Sequence, residues 1–198
     1  MGTAFVLAFL FSFGPLLYYF LSHPGSFVGR AGQVSIFSES LNNGDVLGTF
    51  ISVFKQTMLG FFTQGDLNWR HNVAGFPFLS PFLSPFFALA LIIFTFALIK
   101  ILKQIWQKNL NNQTYYQVLV VSWFWLLMVP EITTAEGIPH GLRLVGVIPP
   151  MFILPAWMIS KVWDKISQYI QIIKVKTALI GIFAASLIVY NYNLYFVI

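Results

Sequence analysis

The chain has no cysteine and very little charge. Its 198 residues include 11 Lys or Arg and 6 Asp or Glu, so charged residues make up 9%, against about 25% in an ordinary soluble domain. The lack of cysteine excludes a disulfide-stabilised scaffold, and the 22 Phe, 8 Tyr and 6 Trp exclude a disordered chain. No phosphate-binding glycine loop and no HExxH or GxSxG motif occurs. The sequence therefore does not predict a water-soluble enzyme of those classes.

The few charges leave five charge-free runs, at 1–29, 71–99, 109–130, 144–160 and 177–198. Because a helix needs about 20 apolar residues to cross a hydrocarbon core, each run is long enough or nearly so. The sequence predicts an all-α, polytopic transmembrane helical bundle that forms a single domain over residues 1–198. The predicted spans are at about 3–21, 83–101, 115–129, 143–159 and 177–195.

Two of these spans carry further signals. Residues 1–22 lack the basic start and the cleavage site of a signal peptide, so a retained helix is preferred over a removed one. The fourth span contains Pro149, Pro150 and Pro155, which lack backbone donors and predict a kink or break there.

The lysines in the short connections predict the orientation of the bundle. They are Lys100, Lys103, Lys108, Lys161, Lys165, Lys174 and Lys176. Since short cytoplasmic loops are enriched in Lys and Arg, these connections are assigned to the cytoplasm. The amino terminus is then cytoplasmic, and loops 22–82 and 130–142 are extracytoplasmic, in a bacterial or archaeal plasma membrane or in the endoplasmic reticulum. These lysines account for most of the net charge of +5, and no nucleic-acid partner is expected.

Two segments outside the spans have helical apolar patterns. Residues 46–62 are mostly apolar around Lys55 and Gln56, which predicts a helix lying along the membrane surface within the 22–82 loop. Residues 161–176 have apolar side chains at spacings of three and four, which is typical of an amphipathic interfacial helix. A simple lysine anchor fits the 161–176 segment equally well.

All three arginines, Arg30, Arg70 and Arg143, fall on the predicted extracytoplasmic side. A guanidinium group can bind phosphate oxygens with two parallel hydrogen bonds, so the arginines predict a site for a phosphate-bearing membrane lipid. The alternative is that they extend to the interface or pair with carboxylates of the same loops. Those carboxylates are Asp66, Glu131 and Glu136.

The histidines His23, His71 and His140 do not predict a metal site. No two of them have the i, i+3 or i+4 spacing that places ligands on one helix face, so they are expected to stand apart. Asp66 is a candidate base or metal ligand, although an ion pair with Arg70, four residues further on, is the commoner arrangement.

Three motifs in order resemble a known family. They are HPGSFVGRAGQVSIF at 23–37, GDLNWRHNVAGFPFLSP at 65–81 and PEITTAEGIPHGLRLVGVIPP at 130–150. Together they look like the downstream membrane region of phospholipid-carrier-dependent glycosyltransferases, of the dolichyl-phosphate-mannose protein mannosyltransferase-like group with the C-type fold. The resemblance covers about residues 15–160.

The resemblance implies an enzyme that takes a sugar from a polyprenyl-phosphate carrier and transfers it to an acceptor on the extracytoplasmic side. By this resemblance, Arg143 with His140, and Arg30 or Arg70, are the candidates for binding the carrier phosphate. Asp66, His71, Asn72 and Glu136 are candidates for an acceptor site or a structural polar site, and the catalytic residues stay unassigned. A divalent metal is implied for the complete family enzyme.

The chain departs from the family pattern at its start. Family members carry an acidic pair in an early outer loop, whereas the first carboxylate here is Glu39. Such enzymes also have about twice as many spans, so the resemblance predicts the carboxyl-terminal membrane part of a longer enzyme, with the missing amino-terminal half as a partner. The competing function is a non-enzymatic membrane subunit or a transporter fragment.

Overall fold

A computed structural model describes residues 2–106 and 112–197. The side chains of Arg30 and Lys103, and the whole of Lys108, lie outside the described part, so the sequence-based roles of these residues stay predictions. The described chain is helical. Its helices are α1 (Gly2–Ser22), α2 (Pro24–Val34), α3 (Glu39–Asn42), α4 (Val46–Gly60), α5 (Ser84–Trp106), α6 (Asn112–Ile132), α7 (Ile148–Ser167) and α8 (Ile173–Phe196), with a 3₁₀ turn at Val145–Val147.

A helix occupies each of the five predicted spans, namely α1, α5, α6, α7 and α8. Within residues 2–106 and 112–197, three helical segments are long and apolar enough to cross a membrane: Tyr115–Ile132, Val145–Ser167 and Ile173–Phe196. The apolar stretches found in α1 and α5 are shorter, Val6–Ser22 and Ser84–Leu98. A helical membrane protein is therefore supported, while a total of five crossings remains a prediction.

The interior lies between α5, α6 and α7, which pack against one another. Its largest members are aromatic rings. Phe61, Phe87 and Phe124 are fully buried and lie with their ring centroids 5.3 to 5.9 Å apart. Such tilted and edge-to-face pairs are favoured by the ring quadrupoles in addition to the area that they bury. This cluster fixes the end of α4 to α5 and α6.

By contrast, α8 buries almost nothing within this chain. Leu194 is its one buried residue among those described. Two edge-to-face ring pairs connect α8 to the rest of the bundle, Phe183 with Phe86 of α5 and Tyr190 with Phe82 in the turn before α5. Large apolar side chains such as Ile182 and Ile188 are more than 60% exposed. A water-soluble monomer rarely exposes so continuous an apolar surface, whereas lipid solvates it well.

The structure places a helix, α4, in the segment predicted to lie at the interface. Asp45 caps its start by accepting a hydrogen bond from the Gly48 N–H at 2.8 Å. On one side α4 faces α6, where Phe54 stacks on Trp125 with centroids 6.2 Å apart. The location of α4 at a membrane surface stays a prediction.

The fourth span does not break at its prolines, because α7 continues through them to Ser167, whereas a kink there stays a prediction. Pro149 and Pro150 occupy the first turn, where backbone N–H groups have no partner within the helix to lose. Pro155 lies inside the helix and is buried. The helix begins five residues later than predicted, so Arg143 belongs to the preceding loop.

The amphipathic helix predicted over 161–176 is also wrong. Lys161 and Lys165 belong to the last turns of α7, the chain turns at 168–172, and Lys174 and Lys176 lie in the first turn of α8. Apolar residues do recur at spacings of three and four in this segment, but they lie in the last turns of α7, in the turn that follows and at the start of α8. This arrangement fits the alternative, a lysine-rich anchor between two spans.

The predicted orientation can be tested in this cysteine-free chain with single cysteines at exposed positions. We expect cysteines at Gln64 and Leu142 to react with a membrane-impermeant thiol reagent in intact cells. Tyr169, which is 82% exposed in the turn between α7 and α8, is the matched control, and a cysteine there should react only after lysis. Labelling of all three positions from the same side would contradict the orientation.

Candidate functional site

The loops that follow α4 and α6 come together at one end of the bundle. Gly60, the last residue of α4, accepts a hydrogen bond from Phe78 N–H at 3.0 Å and lies against Pro139. An isolated antiparallel bridge between Ser35 and Thr134 adds the segment after α2 to this end. We call the group Asp66, His71, Glu131, His140 and Arg143, where these loops meet, the loop site.

The carboxylate of Asp66 connects the two loops of the loop site. Its carboxylate accepts hydrogen bonds from the Asn68 and Gly141 N–H groups, each at 2.8 Å, and lies 2.8 Å from His71 Nδ1. Burial by itself raises the pKa of the Asp66 carboxyl, but these two N–H donors and His71 lower it, and the net pKa is below the usual value. Asp66 is therefore ionised at neutral pH and joins the two loops.

His140 lies beside this carboxylate. Its ring centroid is 4.5 Å from that of His71, and its Nδ1 is buried with no hydrogen-bond partner in the described part of the chain. Burial, followed by the positive charge of Arg143, lowers the pKa of His140 below its usual value. The imidazole is therefore neutral at pH 7. Asp66, His71 and His140 each offer a donor atom within 4.8 Å of the others, so together they could hold a metal ion.

Glu131 and Arg143 form the second half of the loop site. Glu131 lies in the last turn of α6 with its side chain fully buried, and its Oε1 accepts the His140 N–H at 2.7 Å. Its Oε2 is 3.5 Å from Arg143 Nη1, and the same nitrogen donates to the Glu136 carbonyl at 2.8 Å. Glu131, at the end of α6, thus contacts both the backbone of His140 and the guanidinium group of Arg143.

A pocket of about 480 Å³ opens over these groups. It is lined by Asp66, Leu67, Asn68, Glu136, Gly137, Ile138, Pro139, His140 and Arg143. One cation and two acidic residues in a wall that also has apolar members can bind a polar molecule and fix its orientation. We call this cavity the loop pocket.

Two glycines allow the loops to approach so closely. A side chain at Gly141 would place its Cβ 3.0 Å from the His71 Cβ and 3.3 Å from the His71 carbonyl oxygen. At Gly65 the Cβ would collide with the Phe76 carbonyl oxygen, which accepts the Gly65 N–H at 3.1 Å. Neither position has room for another residue without a backbone shift.

The structure brings together five of the eight candidate residues that the sequence singles out: Asp66, His71, Glu136, His140 and Arg143. Arg70 is exposed and does not line the loop pocket. Asn72 supports the loop from inside, since its side-chain amide donates to the Phe76 carbonyl. The remaining candidate is Arg30, whose side chain is not described.

Two sequence-based expectations about this region are wrong. Asp66 pairs with His71 and not with Arg70, because the segment after Asp66 is a series of turns and lacks the helical register of an i, i+4 pair. His71 and His140 do not stand apart, because the contact between the two loops brings their rings together. The alternative interpretation of the arginines, an ion pair with a carboxylate of the same loops, is observed for Arg143, whose Nη1 lies 3.5 Å from Glu131 Oε2.

The sequence interpretation missed Asn68 and Gly141 as parts of the site. Asn68 had a local signal, because Asp66 and Asn68 each accept from the N–H two residues further on, the Asx turn that these residue types favour. Gly141 had no such signal, since its partner Asp66 is 75 positions away in the chain.

Comparison with protein-family models, curated proteins and solved structures gives no match for this chain.

The stability of the loop site should depend on Asp66. We expect Asp66→Ala to lower the free energy of unfolding by roughly 2–4 kcal/mol, since it leaves two N–H groups without their acceptor in a half-buried loop. The control Asp45→Ala removes an exposed carboxylate that caps α4, at a cost of about 1 kcal/mol. Unfolding of both variants in detergent would be compared, and equal losses would contradict a special role for Asp66.

Proposed function

We propose that this chain forms part of a membrane glycosyltransferase that takes a sugar from a polyprenyl-phosphate carrier and transfers it to an acceptor on the extracytoplasmic side. The loop pocket is the site that binds the carrier phosphate. The observation that carries the proposal is the position of Arg143 in the pocket wall, held by Glu131 at the end of an apolar helix.

The location of the pocket suits a lipid-linked substrate. Glu131 is in the last turn of α6, and Tyr115–Ile132 is one of the segments able to cross a membrane. A helix end of this kind lies at the level of lipid head groups. Leu126 and Val129 on the same helix are exposed, so an isoprenoid chain can lie along α6 while its phosphate reaches the pocket.

Arg143 has the right chemistry for the phosphate. A guanidinium group carries five N–H donors, and in the described part of the chain Arg143 uses one nitrogen for both Glu136 and Glu131. The other nitrogens can donate to phosphate oxygens. As the glycosidic bond breaks, negative charge grows on the departing lipid phosphate, and a fixed cation stabilises that charge. Glu131 keeps the guanidinium in place because its own side chain cannot leave the interior.

The remaining polar groups of the pocket suit sugar or acceptor hydroxyls. Asp66 and Glu136 lie in the same wall, and carboxylates are the acceptor type that hydroxyl groups bind. His140 is neutral and can donate or accept a hydrogen bond. A second cavity of about 250 Å³ shares Leu67, Ile138 and Pro139 with the loop pocket, so two molecules can reach the same wall from different sides.

Binding of polyprenyl phosphate by the purified chain in detergent tests this proposal. We expect Arg143→Lys to weaken binding about 10-fold or more, because the lysine cannot form the two parallel hydrogen bonds of the guanidinium. Arg70→Lys is the matched control, since Arg70 lies outside the pocket, and it should bind as the unchanged chain does. The affinity of each protein would be measured against a detergent background.

The uncharged polyprenol separates phosphate recognition from general lipid binding. Polyprenol should bind more weakly than polyprenyl phosphate, and its affinity should not change in Arg143→Lys. Equal binding of both lipids, or equal effects of the two arginine substitutions, would contradict a phosphate site at Arg143.

A further inference from the structure

Asp66, His71 and His140 have the composition of a three-ligand metal site. Their donor atoms lie within 4.8 Å of one another, and two imidazole nitrogens with one carboxylate oxygen are a common ligand set for zinc. Around a tetrahedral zinc ion, neighbouring donor atoms are about 3.3–3.5 Å apart. The most distant of these atoms therefore have to approach by up to about 1.5 Å, while Asp66 Oδ2 and His71 Nδ1, which are 2.8 Å apart, have to separate by about 0.5 Å.

The state of His140 points to a ligand as well. Its Nδ1 is buried without a hydrogen-bond partner in the described residues, although nearly all buried polar atoms have one. The ring is held by its surroundings, since the backbone N–H of His140 is bound to Glu131 and the ring packs against His71. A ring that is fixed but has an unused nitrogen is prepared to coordinate an ion.

Asp66 and His71 are held in place by the same loops. Asp66 accepts two backbone N–H groups, and such supporting hydrogen bonds orient metal ligands and fix their position. The contact of 2.8 Å between Asp66 Oδ2 and His71 Nδ1 shows that these two side chains already face each other. An ion that replaces the shared proton would release it to solvent, as metal binding commonly does.

We infer that the loop site binds one divalent transition-metal ion of the zinc class through Asp66, His71 and His140, with the remaining coordination position open to the loop pocket. Asp66 and His140 line that pocket, so a water molecule or an anionic oxygen of a bound molecule takes the open position. Magnesium and calcium are disfavoured, because they prefer oxygen ligands alone. The metal site does not depend on the identity of the molecule in the pocket.

The test uses the purified chain in detergent, produced without a polyhistidine tag and stripped with a chelator. We expect it to bind one equivalent of Zn²⁺, with no competition from excess Mg²⁺. Co²⁺ should bind at the same site and give the visible absorption of a four- or five-coordinate ion. Failure of the unchanged chain to bind stoichiometric Zn²⁺, or a six-coordinate spectrum of Co²⁺, would overturn the proposal without the need for any variant.

Variants then identify the ligands. His140→Gln loses no side-chain hydrogen bond present in the structure, and we expect it to lower Zn²⁺ affinity by about 100-fold. His23→Gln is the matched control, because His23 lies at the start of α2 and stacks on Tyr19, and it should bind Zn²⁺ normally. Unchanged affinity in His140→Gln, or an equal loss in His23→Gln, would contradict this ligand set.

The metal site and the phosphate site can fail separately. Arg143→Lys should retain full Zn²⁺ affinity while losing affinity for polyprenyl phosphate. Zn²⁺ binding with no preference for the phosphorylated lipid would leave the metal site standing and remove the proposed carrier site.

Discussion

The hydrogen bond from the Gly141 N–H to the Asp66 carboxylate is the contact on which the rest of the site depends. It joins two loops that are 75 positions apart in the chain. Asp66 can accept it because the same carboxylate is held by Asn68 and His71. This contact links the loop that carries His71 to the loop that carries His140 and Arg143. One ionised side chain thus joins the two loops that form the polar end of the bundle.

The apolar helices make that polar end rigid. Phe61, at the end of α4, packs against α5 and α6, so the loop after α4 starts from a fixed point. The other loop starts at Glu131, a fully buried carboxylate in the last turn of α6. A charged group in such a position is stabilised when it is paired and hydrogen-bonded, and here the His140 N–H and Arg143 supply those partners. The buried aromatic rings on one side, and the contacts of Glu131 with His140 and Arg143 on the other, therefore position the site.

The sequence predicts the helices well because a charge-free run and its length are properties of consecutive residues and do not depend on distant contacts. Each predicted span contains a helix, and the ends differ by one to eight residues where prolines or lysines shift the boundary. At the site, the residue types indicated which side chains to consider, but the sequence did not predict which of these side chains contact one another. The chemistry of arginine singled out Arg143, whose role as a phosphate contact stays a prediction, whereas the predicted pairing of Asp66 with Arg70 is wrong because helical spacing does not apply in a turn. Contacts between His71 and His140, or between Asp66 and Gly141, depend on how two loops meet, and no short-range pattern encodes that.

The close contact of Gly60 with Pro139 has a mechanical consequence. A Cβ at Gly60 would lie 3.0 Å from the Pro139 ring, so the end of α4 and this loop are in direct contact with no space between them. Pro139 is the neighbour of His140 in the chain. A residue larger than glycine at position 60 would therefore press on the loop that carries His140. The size of residue 60, at the end of an apolar helix, is thus limited by a loop that carries two groups of the loop site, His140 and Arg143.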